Sequence, residues 1–195
     1  MPKPYYEQDG ITIYHGDCRE VLPQLELFDF LFTSPPYGEQ RQYGGNGDAL
    51  NWNALVPVAI TAAPLSPDGQ VLVNLGLIVC DGEVIEYWNE LISRVRGVGY
   101  RLNGWYVWDK SSSLPGDWAG CFGPSHEWLF HFNRRAVKPT KFVPCQERRG
   151  VINGTGLRRR DGSTQERMSG DGNAYGTHKI PDSVVRICRE MSRVG

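Results

Sequence analysis

Short apolar runs alternate along this chain with stretches whose apolar residues recur at helical spacing. Residues 10–14 (Gly-Ile-Thr-Ile-Tyr) are β-branched and alternating, which predicts a strand. Residues 19–22 predict a helical turn closed by Pro23. Residues 27–32 (Leu-Phe-Asp-Phe-Leu-Phe) read as a short buried strand. It must stop near Thr33, because Pro35 and Pro36 have no N–H to donate to a ladder. Ser34-Pro35-Pro36-Tyr37 is therefore a stiff turn at a strand's carboxyl end. A polar, glycine-rich loop follows at 38–48, then a helix over 52–63 and a turn at 65–69. Residues 70–76 (Gln-Val-Leu-Val-Asn-Leu-Gly) are apolar on both faces and predict a central strand.

Val84, Ile85, Trp88, Leu91, Ile92 and Val95 predict a helix over 82–95. Residues 100–108 and 127–132 predict strands flanking a polar loop at 109–125. Trp105 and Trp108 read as core rather than base-stacking platforms. Residues 181–194 predict a last helix, with Pro181 in its first turn and Val184, Val185, Ile187, Cys188 and Met191 on one face. Strands alternating with helices imply an α/β fold with a mostly parallel sheet. Its strand ends at Asp17, Ser34–Tyr37 and Asn74–Gly76 would face one crevice, where such sheets place their sites.

Length and composition suit one soluble globular domain: 195 residues, 40% hydrophobic and 22% charged. No 18-residue apolar run is present, and the amino-terminal residues lack the apolar core of a signal peptide. The five cysteines are scattered with no CxxC pair, which argues against zinc and a disulfide framework and for a reducing, cytoplasmic setting. The formal net charge is −1, yet residues 134–167 hold ten of the 21 Lys and Arg residues against only Glu147, Asp161 and Glu166. Such a stretch is a phosphate-contacting surface or a solvated loop.

Three ordered stretches carry a resemblance: Ile13-Tyr14-His15-Gly16-Asp17-Cys18, Asp29 to Tyr37 with its Ser-Pro-Pro-Tyr, and Leu65 to Asn74. Trp108-Asp109-Lys110, His126-Glu127 and His178-Lys179-Ile180-Pro181 follow in order. Over residues 10–195 the chain resembles the DNA amino-methyltransferases, within them the permuted (beta) group whose catalytic half comes first. The resemblance implies a Rossmann-like methyltransferase sheet with helices on both faces. It also implies S-adenosylmethionine as cofactor, double-stranded DNA as substrate, no membrane partner, and a base swung out of the duplex. A role in restriction–modification, with a cognate restriction nuclease as partner, would follow.

In that reading the Ser34 hydroxyl and Pro35 carbonyl accept the two N–H bonds of an exocyclic amino group. Pro35 and Pro36 keep the acceptors rigid, and Tyr37 stacks on the base. Serine at the first position favours N4 of cytosine over N6 of adenine. Asp17 would lie near the adenosyl part of the cofactor, though a plain turn acid would look the same. Lys179 and Pro181 would open the cofactor-side helix, whose first-turn N–H groups meet the cofactor carboxylate. His126 and Glu127 would lie on the target side of the pocket, or be a strand-start pair. Arg148, Arg149, Arg158, Arg159 and Arg160 fall where the group carries target recognition, so they would contact DNA.

The division expected is a catalytic part at 1–133, a basic target-recognition insertion at 134–177 and the start of the cofactor-binding part at 178–195. The resemblance implies a further strand and glycine-rich loop after the last helix, so the chain reads as incomplete at its carboxyl end. A missing half or a second chain would supply that piece. Without its strand, the Ser-Pro-Pro-Tyr strand should show an unpaired edge and exposed apolar side chains. The alternatives are an adenine-N6 enzyme and a truncated, non-catalytic DNA-binding remnant.

Overall fold

The structure, a computed structural model, describes residues 2–35, 52–111, 113, 120, 122–140, 143–144, 157–158, 160–165 and 178–187, with the backbone alone at 52–54, 80, 157–158, 164–165 and 179. In chain order its elements are β1 (Tyr6–Gln8), β2 (Ile11–Ile13), α1 (Cys18–Val21), β3 (Phe28–Thr33), α2 (Trp52–Ala62) and β4 (Leu65–Leu75). Then come β5 (Val79–Cys80), β6 (Glu83–Val84), α3 (Trp88–Gly97), β7 (Arg101–Asp109) and β8 (His126–Asn133). The short strands β9 (Val143–Pro144), β10 (Leu157–Arg158), β11 (Thr164–Gln165), β12 (His178–Lys179) and β13 (Val184–Arg186) complete the list. The chain forms two compact units: Met1–Val137 with Ser183–Gly195, and Lys138–Asp182.

The first unit is built on a five-stranded sheet in the order β13-β7-β8-β4-β3. β3 pairs with β4 in parallel, β13 with β7 in parallel, and β8 runs against both β4 and β7. Four strands therefore share one direction and β8 alone opposes them, so the expected mostly parallel α/β sheet is present. Pairing register sorts the side chains into two faces. Leu31, Val71, Val73, Leu75, Phe130 and Phe132 share one face and pack with α2 and α3 into a single core. α3 presents Trp88, Leu91, Ile92 and Val95 to it, at helical spacing. Among the described residues both longer helices lie on this face, whereas helices on both faces were expected.

The opposite face carries a polar strip. His131 Nε2 lies 2.8 Å from Gln70 Oε1, and its Nδ1 lies 2.9 Å from the Tyr106 hydroxyl. Asn133 donates to the same Gln70 oxygen at 3.1 Å. β3 closes one side of the sheet, and on this face Phe30 and Phe32 are 54% and 55% exposed. Among the described residues β3 has a strand partner on one side, β4, and these two rings lie bare beside it.

Four sequence expectations change. Among the described residues β2 pairs with β1 alone, in a separate hairpin, so the first predicted strand is not part of the five-stranded sheet. The predicted turn at 65–69 is a bulge inside β4: Phe28 pairs with Leu65 and Phe30 already with Gln70. A Cβ on Gly69 would sit 2.9 Å from the Ser66 carbonyl oxygen, so the bulge needs glycine there. The helix predicted over 82–95 starts only at Trp88, because Asp81 (φ 51) and Gly82 (φ 82) turn the chain between β5 and β6. The helix predicted from Pro181 is absent at 181–187: β-branched Val184 and Val185 extend as β13 along β7, while 188–194 lie outside the described residues.

Candidate active site

The shared strand direction gathers the carboxyl ends of β3, β4, β7 and β13, with the amino end of β8, at one end of the sheet. Ser34 and Pro35 leave β3 there, with Ser34 exposed and Pro35 buried. The Ser34 hydroxyl donates to Asn74 Oδ1 at 3.3 Å. Asn74 sits near the end of β4 at 3% exposure, and its Nδ2 donates to the Trp128 carbonyl of β8 at 3.1 Å. One buried amide thus links the Ser-Pro turn to the strand beyond its neighbour.

β7 and β8 bring a second cluster to the same end. Lys110 Nζ lies 2.9 Å from Glu127 Oε1, with the two side chains 14% and 15% exposed. The His126 ring meets the Trp128 ring edge-on, centroids 4.8 Å apart. Asp109 accepts from Arg186 at 2.8 Å and from the Ser111 N–H at 2.8 Å. Those contacts, the arginine first, hold its carboxyl below the usual range. Of the tryptophans read as core, Trp105 is 46% exposed and Trp108 is half-buried. The cause for Trp105 is position: its ring packs on Phe130 at the margin of the core, with the groove of Asn89, Ser93 and Arg96 open beside it.

Asp17 lies apart from the sheet, at the end of the β1–β2 hairpin. Its carboxylate caps α1 through the Arg19 N–H at 2.9 Å and takes the Arg19 guanidinium at 2.9 and 3.0 Å. The guanidinium hydrogen bonds lower its pKa to about 2, so it stays an ionised acceptor at neutral pH.

In the second unit the Lys179 backbone pairs with Val143 in the β9–β12 hairpin, and Pro181 is exposed with no helix behind it. The first-turn N–H groups expected at Pro181 are therefore not there. Arg160 is exposed at the turn between β10 and β11, and Arg158 lies on β10. Pro36, Tyr37, Arg148, Arg149 and Arg159 lie outside the described residues. The structure thus brings together Ser34, Pro35, His126 and Glu127 at one sheet end.

Sequence reasoning placed the Asn74–Gly76 strand end at this crevice and named Lys110 within the Trp108-Asp109-Lys110 stretch, but gave neither side chain a role. The signal for Asn74 was present, since an amide inside an apolar central strand needs designated partners. Among the described residues no cluster of three metal-ligating side chains occurs, and no helix is long and apolar enough to cross a membrane.

A sheet with four of its five strands in one direction, and the Ser34-Pro35 segment leaving the carboxyl end of β3, is an α/β arrangement that places a site at that end. Residues 28–177 match the N6/N4 DNA methylase family, and the chain belongs to that family, whose cofactor is S-adenosylmethionine. It is 44% identical over 47 residues to the type II methyltransferase M.ScaI of Streptomyces caespitosus, covering 23% of this chain and 16% of that protein. It superposes on the PvuII DNA methyltransferase (cytosine-N4-specific) with a TM-score of 0.62 at 18% identity, covering 97% of this chain and 61% of that one. A complex of M1.HpyAVI with S-adenosylmethionine matches at a TM-score of 0.47 and 14% identity, over 69% of this chain and 59% of that one. The chain therefore spans less than two thirds of the length of these relatives.

Proposed function

We propose that this protein transfers a methyl group from S-adenosylmethionine to N4 of cytosine in double-stranded DNA. The observation that carries the reading is the Ser34-Pro35 turn, which leaves an exposed hydroxyl on a buried proline at the carboxyl end of β3. An exocyclic amino group is a poor nucleophile because its lone pair is delocalised into the ring. The Ser34 oxygen and the Pro35 carbonyl accept its two N–H bonds, hold it in place and stabilise the positive charge that grows on nitrogen. The cofactor, when bound, supplies an electrophilic methyl carbon. Serine, a neutral acceptor, favours cytosine over adenine by the family's habit.

Tyr37 stacks on the extruded base, and His126 and Glu127 line the target side. The arginines at 148, 149, 158, 159 and 160 hold DNA phosphates. For the cofactor, Asp17 fits as an ionised acceptor for hydroxyl or amino groups, whereas Pro181 offers no helix start. We assign 1–133 to catalysis, 134–177 to DNA contact and 178–195 to the cofactor side. A cognate restriction nuclease is the expected partner, in keeping with the type II name of the M.ScaI relative.

The test is incubation with duplex DNA and methyl-labelled S-adenosylmethionine, followed by digestion to nucleosides. Label in N4-methylcytosine is expected. Label in N6-methyladenine would replace the base assignment, and no label in either would refute the function. A DNA-binding protein without transfer activity is the second reading, supported by the basic stretch at 134–167. It would bind DNA with no label transferred.

A further inference from the structure

We propose that Asn74 is a positioning residue that fixes which way the Ser34 hydroxyl points, and so makes Ser34 a pure acceptor toward the amino group. The inference rests on the methyl-transfer reading above. Its logic uses donor chemistry alone. The Trp128 carbonyl can only accept, so the Asn74 NH2 must face it, as the 3.1 Å contact records. The other end of that amide is then an oxygen, which also can only accept. The 3.3 Å contact with Ser34 therefore requires the serine proton to lie on the Asn74 side. What remains on the Ser34 oxygen is lone-pair density, which is what an amino N–H needs.

Two consequences follow. A freely rotating serine spends part of its time aiming its proton at the amino group, which disfavours binding that group as a donor. Asn74 removes that orientation, and at 3% exposure water does not compete well for the amide. Second, an amide oxygen is not a base at neutral pH, so Ser34 cannot pass a proton through Asn74. During transfer the nitrogen lone pair forms the new N–C bond and the C–S bond breaks, its electrons going to sulfur. The methylated nitrogen is then cationic and releases its extra proton to solvent, outside this pair.

The experiment is a cycle of Ser34→Ala, Asn74→Ala and the double variant in the full protein, with Asn74→Asp as the conservative replacement. Methyl transfer is followed as kcat and KM, and thermal melts report folding. Asn74→Ala should lower kcat by about 100-fold with KM for DNA little changed. In the Ser34→Ala background it should cost nothing further, because its target is gone.

Asn74→Asp should keep most activity, because a protonated carboxyl donates to the Trp128 carbonyl and accepts the serine proton as the amide does, and a carboxylate accepts it too. Asn74→Leu, similar in size but unable to accept, should lose as much kcat as Asn74→Ala. Additive losses in the cycle, or a folded Asn74→Asp that loses as much kcat as Asn74→Leu, overturn the inference while the parent's activity upholds the proposed function. A parent that labels neither base overturns both. Should Asn74→Ala fail to fold, the comparison of Asn74→Asp with Asn74→Leu decides alone.

Discussion

Replacing Lys110 by Met removes one half of the ion pair that joins the residue following β7 to the start of β8. The pair spans 2.9 Å, and its side chains are 14% and 15% exposed. Exposed pairs contribute up to about 1 kcal/mol, and losing one partner of a fully buried pair costs about 3–5 kcal/mol. This pair lies between those limits, so Lys110→Met should cost about 2 kcal/mol. Most of that cost is Glu127 left charged and poorly solvated. Glu127→Leu added to Lys110→Met should then recover part of the loss, giving a coupling of about 1 kcal/mol. Urea titrations of the parent, both single variants and the double variant measure it. Losses that simply add would refute the reasoning and turn Glu127 back toward a role at the base. Transfer kinetics of Glu127→Gln separate the two roles further: a brace lowers stability and leaves kcat near the parent's, whereas a base contact lowers kcat in a folded protein.

Other outcomes are equally definite. Phe130 is fully buried and packs against Trp105, so Phe130→Ala should cost about 3–5 kcal/mol in a urea titration. Burial lowers the His131 pKa from 6.5, so the folded state resists protonation and the unfolded state does not. Stability should therefore begin to fall as pH drops through 6.5 and level off below the folded pKa, and His131→Gln should flatten that slope in pH-dependent melts. Phe30→Ser with Phe32→Ser should reduce concentration-dependent self-association in sedimentation, because these rings are more than half exposed on the sheet face that α2 and α3 leave bare among the described residues. Arg158→Ala with Arg160→Ala should weaken DNA binding equally across sequences and shallow its salt dependence, measured by fluorescence anisotropy.

The sheet strands were legible because their side chains answer to one neighbour relation at a time. Residues 27–32, 70–76, 100–108 and 127–132 each lie within about a residue or two of β3, the paired run of β4, β7 and β8. What failed was choice of partner. Ile11-Thr12-Ile13 has the alternation of a sheet strand, yet its partner is the adjacent β1, and only three-dimensional pairing reveals that. Val184, Val185 and Ile187 satisfy helical and extended patterns alike, and the edge of β7 decided for the strand. The Asp81-Gly82 turn was readable in principle, but the apolar spacing beyond it ran through the hairpin and hid its boundary. The Ser-Pro turn was legible as rigid, since two prolines announce it. The lysine beneath Glu127 was not, because a 17-residue separation carries no periodic signal.

Two prolines fix the backbone of the turn, but they say nothing about the serine proton. That proton is set by Asn74, whose own orientation is set by a carbonyl on β8. The chain of dependence therefore runs across three adjacent strands: β3 supplies the hydroxyl, β4 the amide and β8 the acceptor. It works only in one register, in which Asn74 stands opposite Leu129 and one residue from Trp128. A slip of one residue in β4 would carry Asn74 to the core face and bring Val73 or Leu75 beneath Ser34. The core residues Val71, Val73 and Leu75 oppose that slip, since each would leave the core, and its place beside Phe130 and Phe132, with it. Hydrophobic packing on one face of the sheet thereby determines hydrogen-bond chemistry on the other, which is why substitutions deep in the helix-covered core should alter Ser34 without touching it.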